Sequence, residues 1–198
     1  MIDNYEKSSL AASARFLKYD QEALLARWPL RHDDNWIYVE FVGAEYRIDR
    51  STGRIYEGER TAGFNEVLSI LDMVCNSPCA PAPTGRWLTM TQLTNRAGSG
   101  PVSMDMMHRE LEPFIGHPER LEKACRALGG TEASVGDVSF YIPVFENFPL
   151  WLQFWDEDDE FPASITVLWD STTPQHLHYE TLWYIMNHLL GRLRFLSH

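Results

Sequence analysis

Strand-like runs occur in two groups far apart along this chain, and that spacing restricts the fold more than any other feature. The first group is residues 36–42, 46–49 and 54–56. Residues 36–42 (Trp-Ile-Tyr-Val-Glu-Phe-Val) are rich in β-branched and aromatic side chains, which suit a pleated, half-buried surface. Gly43 breaks that run, and Ser51-Thr52-Gly53 reads as the turn of a β-hairpin. These runs form an N-terminal meander. The second group is residues 138–142, 149–155 and 163–169. The loop at 156–162 joins the last two as an antiparallel hairpin.

The intervening and flanking chain carries helical periodicity. Residues 8–25 repeat apolar side chains (Leu10, Ala14, Leu17, Leu24, Leu25) near helical spacing and stop at Pro29. Residues 64–74 place Phe64, Val67, Leu68, Leu71, Val74 and Cys75 on one stripe. Ser103 can cap a helix running to about residue 114, which Gly116 ends. Pro118 and Glu119 begin another, with Leu121, Ala124, Cys125 and Leu128 buried and Gly129-Gly130 as its stop. Residues 181–195 form a closing helix with Leu182, Ile185, Met186, Leu189, Leu190 and Leu193 inward.

Segregated strands and helices specify an α+β fold rather than a doubly wound α/β fold. The expected architecture is an antiparallel sheet, the N-terminal meander plus the C-terminal hairpin strands, with helices packed beside it. Whether the two strand groups share one sheet is open at this level. The 198 residues make one domain, 1–198. Pro78, Pro81 and Pro83 stiffen an extended loop at 78–85, the one weak internal boundary. Residues 86–91 form a short extended segment and 97–101 a loop.

Charge narrows the function. Seventeen Lys and Arg against 28 Asp and Glu give −11. That argues against a dedicated nucleic-acid or anionic-membrane binder, since both rely on cationic surfaces and only Arg192-Leu193-Arg194 offers a local basic spot. No apolar stretch approaches the roughly 20 residues of a membrane-spanning helix. The first residues lack the pattern of a signal peptide, and three cysteines do not suggest a disulfide framework. A cytoplasmic protein is expected.

Four constellations could carry chemistry. The acidic run Asp156-Glu157-Asp158-Asp159-Glu160 lies between Trp155 and Phe161. It is either a cation or partner site, since hard cations take oxygen ligands, or a solvated turn that blocks edge-to-edge pairing. His176 and His178, if extended, project to one side, and Asp170 upstream offers a third metal ligand. The alternative is a solvated loop. Cys75 and Cys79 have a permissible zinc spacing, but no second pair exists and Cys125 falls on a core stripe. Trp151 and Trp155 share a strand face, as core or as the wall of a pocket for a flat ligand. No nucleophile elbow or phosphate-binding glycine loop is present.

Several short motifs occur in a specific order: Thr84-Gly85-Arg86-Trp87-Leu88; Gly129-Gly130; Gly136-Asp137-Val138-Ser139-Phe140; Pro149-Leu150; Trp155 through Asp158-Asp159-Glu160-Phe161-Pro162; and Leu168-Trp169-Asp170. This succession resembles the DUF3786 family, a domain of unknown function common in anaerobic bacteria and archaea. The meander and the helix after it resemble the family's first half. Trp155, Asp158, Glu160, Phe161, Pro162 and Asp170 fit its pattern, whereas His176-Leu177-His178 replaces a Tyr-Leu-Pro. Some members are fused to a cysteine-rich iron–sulfur motif that this chain lacks.

The resemblance places a shared site at the hairpin loop and the end of the following strand. The leading expectation is a non-enzymatic binding or accessory module of anaerobic metabolism. It would present Trp155, Asp158, Asp159, Glu160 and Phe161, with Asp170 nearby, to a protein partner or small cofactor. The rival is an enzyme, or a metal- or cofactor-handling protein, using these carboxylates in an aromatic pocket. The residues name no cofactor and no oligomeric state.

Overall fold

A computed structural model of the chain describes residues 4–94 and 110–197. The expected start of the helix at Ser103 and the loop at 97–101 lie outside these residues. Among the described residues, nine strands form one antiparallel sheet. The meander is β1 (Trp36–Phe41), β2 (Ala44–Asp49), β3 (Ile55–Glu57) and a two-residue β4 (Arg60–Thr61). The later strands are β5 (Trp87–Leu88), β6 (Thr131–Glu132), β7 (Val138–Phe145), β8 (Phe148–Trp155) and β9 (Ser164–Asp170). Their order across the sheet is β4-β3-β2-β1-β7-β8-β9-β5, with β6 beside β7. The fold is therefore the expected α+β, and the open question about the two strand groups resolves into one sheet.

The seam between the groups is narrow. β1 meets β7 only at Phe41 opposite Phe145, reinforced by Val42 N donating to Val144 O at 2.9 Å. The Phe41 and Phe145 rings pack at 4.9 Å. Val42 and Gly43 form the two-residue turn into β2, both with positive φ (46° and 70°), the geometry that matches the twist of a hairpin. A β-branched residue there is strained. Val42 is fully buried, so burial offsets the strain. Gly43 cannot be replaced freely, because an added Cβ would meet Leu128 Cδ2 at 2.9 Å.

One face of the sheet is the core. Ile37, Val39 and Phe41 of β1 continue into Phe140, Ile142, Leu150, Leu152, Phe154 and Trp169. Fully burying side chains of this size contributes roughly 1.5–3 kcal/mol each. The helices cover that face: α1 (Asn4–Phe16), α2 (Gln21–Arg27), α3 (Phe64–Asn76), α4 (Met90–Thr94), α5 (Pro118–Ala127) and α6 (Tyr179–Leu196). α3 packs on α6, α1 on α3, and α5 on α6 and β7.

One helix expected over 8–25 is two. Asp20 adopts an extended conformation (φ −72°, ψ 104°) and its side chain accepts from the N–H groups of Glu22 and Ala23. It therefore caps α2 and interrupts α1. The expected inward stripe of α6 is observed. Trp151 and Trp155 share a face of β8, as expected, and it is the face away from the core residues Leu150, Leu152 and Phe154. The Trp151 ring packs there with Tyr141 at 5.2 Å and Trp87 at 6.0 Å.

Candidate functional site

The hairpin between β8 and β9 is held at its base from two directions. Asp137, at the start of β7, donates its N–H to Phe154 O at 2.9 Å and accepts Asp156 N at 2.7 Å. Gly136 (φ 75°) lets the chain pass this closely, since a Cβ would fall 2.5 Å from Phe154 O and 3.2 Å from the Trp155 ring. The Asp156 carboxylate reaches across to Gly116 N (2.9 and 3.1 Å), ahead of α5.

The tip holds itself. Asp158 N donates to Phe161 O at 3.0 Å, and Asp158 Oδ1 accepts Glu160 N at 2.8 Å and Phe161 N at 2.7 Å. These bonds to the charged form keep the Asp158 carboxyl below its ordinary pKa. Of the acidic run, Asp156 and Asp158 thus shape the loop. Among the described residues, nothing engages the exposed carboxylates of Glu157, Asp159 and Glu160. Beside them stand two large apolar side chains, Phe161 at 67% and Trp155 at 36% exposure.

Asp170 belongs to the fold. It is 1% exposed at the end of β9. Its carboxylate accepts Thr84 N (2.8 Å), Gly85 N (2.7 Å), Thr172 N (2.9 Å) and the hydroxyls of Thr84 and Thr172. It thereby ties the end of the proline-rich loop to the turn after β9. Burial alone would raise its pKa, but the bonds from Thr172, Gly85 and Thr84 outweigh burial and hold it below the ordinary value. With its oxygens so engaged, Asp170 has little capacity left for a metal or substrate.

The histidines diverge. Residues Thr173–Gln175 form a 3-10 turn rather than an extended strand. His176 is buried, its Nδ1 3.2 Å from Ser77 Oγ, and burial lowers its pKa. His178 is exposed and bonds Asp72 through Nδ1 at 2.6 Å. Among the described residues, no group of three or more His, Cys, Asp or Glu side chains is arranged to hold a metal ion. The expected set of His176, His178 and Asp170 therefore does not assemble. Cys75 is buried in α3, Cys79 is exposed beyond it, and Cys125 is buried in α5; all three are free thiols. Burial pushes the Cys75 thiol up to about 11 and Cys125 up to about 12, which removes thiolate character.

Two buried carboxylates were not anticipated. Glu66 on α3 accepts Tyr46 Oη at 2.8 Å, pairs with Arg60 and takes the Gly63 N–H at the helix start. Burial pushes its pKa up, but Arg60, Gly63 and Tyr46 more than reverse this. His188 stacks on Phe41 at 5.0 Å and lies 3.8 Å from Glu66; burial lowers its pKa despite that neighbour. Glu66, three residues after the N-cap Gly63, supplies the returning half of a capping box, a spacing that could have exposed this cluster. Asp72 gave one signal, an ionisable residue beside an otherwise apolar stripe.

Buried acids clamp the fold, and exposed acids crown one hairpin. The family model for a domain of unknown function (DUF3786) matches residues 20–192, and the chain belongs to that family. The match takes in the hairpin, Asp170 and the meander together. No curated protein and no solved structure gives a significant match.

Proposed function

We propose that this chain is a non-enzymatic binding or accessory module that presents the acidic, aromatic hairpin to the basic surface of a protein partner. One observation carries the reading: Phe161 and Trp155 stand exposed beside three unengaged carboxylates, on a loop locked by Asp137, Asp156 and Asp158. A pre-ordered loop loses little entropy on binding. Aromatic side chains supply contact area at the centre of an interface, and unpaired charges steer a cationic partner and set the salt dependence of its association. The net charge of −11 argues against nucleic acid as the partner. Three free thiols fit the cytoplasm, and the family resemblance suggests a role in anaerobic metabolism. No helix among the described residues is long and apolar enough to cross a membrane.

A photo-crosslinking residue at position 161 tests the proposal in extract of the source organism. The expected result is one discrete crosslinked protein with a basic surface. It is lost when Asp158→Asn and Glu160→Gln are introduced together and weakened as salt is raised. The absence of a discrete crosslink, or a crosslink indifferent to both changes, overturns the reading.

A further inference from the structure

Away from the hairpin, Asp72 and His178 form a dyad beside a surface hollow. Asp72 is 5% exposed on α3. Four donors converge on its carboxylate: His178 N at 2.9 Å, Thr181 Oγ1 at 2.6 Å, Asn76 Nδ2 at 2.5 Å and His178 Nδ1 at 2.6 Å. A carboxylate only accepts, so Nδ1 carries the proton of that last bond. In the neutral ring, Nε2 is then left as a bare acceptor whose direction is fixed by the buried acid. The His178 side chain is 63% exposed, and no described residue bonds its Nε2.

His178 lines a hollow of about 370 Å³ together with Leu93, Thr173, Pro174, Leu177 and Leu182. That volume lies at the small end of ligand pockets, which span roughly 300–1,000 Å³. Leu93, Pro174, Leu177 and Leu182 form its apolar wall, and Tyr179 and Glu180 stand on the polar side. Thr173 is 1% exposed, and its hydroxyl is buried with no hydrogen-bond partner among the described residues, a rarity that calls for an explanation. The hollow sits at the start of α6, whose positive dipole end would favour an anion. Glu180 on the rim and Asp72, which accepts the His178 N–H, supply negative charge there, and they turn anionic ligands away.

We infer that this hollow binds a neutral, ring-sized molecule with an apolar body and one O–H or N–H donor, which it gives to His178 Nε2. The site is independent of the hairpin, so either can fail without the other.

Phenol is the probe, added at millimolar concentration to the full chain labelled with ¹⁵N at histidine. Long-range ¹H–¹⁵N correlation should show the Nδ1–H tautomer of His178 in the free protein. On titration, the His178 Nε2 signal should move saturably, and the Leu177 and Leu182 methyls with it. His178→Phe keeps an apolar ring at an exposed position and removes the acceptor. It should weaken phenol on the order of tenfold, the worth of one hydrogen bond. Pro174→Trp, also at an exposed position, should block the hollow while leaving the Asp72–His178 bond and the tautomer intact. An unmoved Nε2 signal, equal affinity in His178→Phe, or shifts confined to another part of the molecule would each overturn the inference.

Discussion

The buried carboxylates of Glu66, Asp72 and Asp170 and the exposed ones of Glu157, Asp159 and Glu160 differ little in chemistry and sharply in company. Each buried acid gathers donors from remote parts of the chain. Glu66 takes Tyr46 and Arg60, Asp72 takes His178 and Thr181, and Asp170 takes Thr84 and Gly85. They fasten the meander to α3, α3 to α6, and the proline-rich loop to β9. Among the described residues, the exposed acids fasten nothing. The contrast teaches that a carboxylate becomes structural when folding brings N–H and O–H groups to it, and stays available for a partner when it does not.

The contrast is broken most severely at Asp170. Asp170→Ala leaves the N–H groups of Thr84, Gly85 and Thr172 without their acceptor in a buried place, and a loss of roughly 3 kcal/mol is expected in urea denaturation. Glu66→Gln keeps one acceptor for Tyr46 but removes the ion pair with Arg60, so about 2 kcal/mol is expected. A loss at Asp170 no larger than that of an exposed substitution would dissolve the distinction between the two sets of acids.

Acid sharpens the same comparison. Asp170 and Glu66 have folded pKa values below their ordinary 3.8 and 4.5. Each therefore contributes stability that is fully present above those values and is lost as pH falls through the folded ones. His188 and His176 are held below their ordinary 6.5 by burial. The unfolded chain binds their protons first, so stability declines as pH drops below about 6.5. The urea midpoint should fall in two stages as pH is lowered, and Glu66→Gln should flatten the lower stage. A midpoint constant from pH 7 to pH 3 would contradict both assignments.

The strand groups, the closing helix and the hairpin were legible because each rests on a local pattern: alternation, helical spacing, or charge between aromatic strand ends. Structure set by distant partners was not. Asp170 reads as a carboxylate at a strand end, but its donors lie in the loop near Thr84 and no spacing in the sequence connects them. His176-Leu177-His178 suggested a pair on one side. Pro174 lies in a 3-10 turn over Thr173–Gln175 instead, so His176 enters the core and His178 takes the N-cap position of α6. Asp20 was hidden because Leu24 and Leu25 keep phase with the preceding helix, and the two-residue strands β4 and β6 are too short to show any period. The hairpin was legible in composition, but the anchoring of its base was not, because it depends on Gly116 and Asp137 far from it in sequence.

The smallest expected effect is the most diagnostic for the hairpin. Changing Glu157→Gln, Asp159→Asn and Glu160→Gln together removes three carboxylates that bond nothing among the described residues. Surface charges of this kind contribute little to stability, and the protein already carries a net −11. The urea midpoint should stay in place, or rise slightly at low salt as self-repulsion is relieved and lose that gain as salt screens it. Asp158→Asn belongs with this set rather than with Asp170, since an amide oxygen can still accept from Glu160 and Phe161 and keep the turn. If the triple variant instead loses stability on the scale of Asp170→Ala, the exposed acids are structural after all, and the hairpin has no charge to spare for a partner.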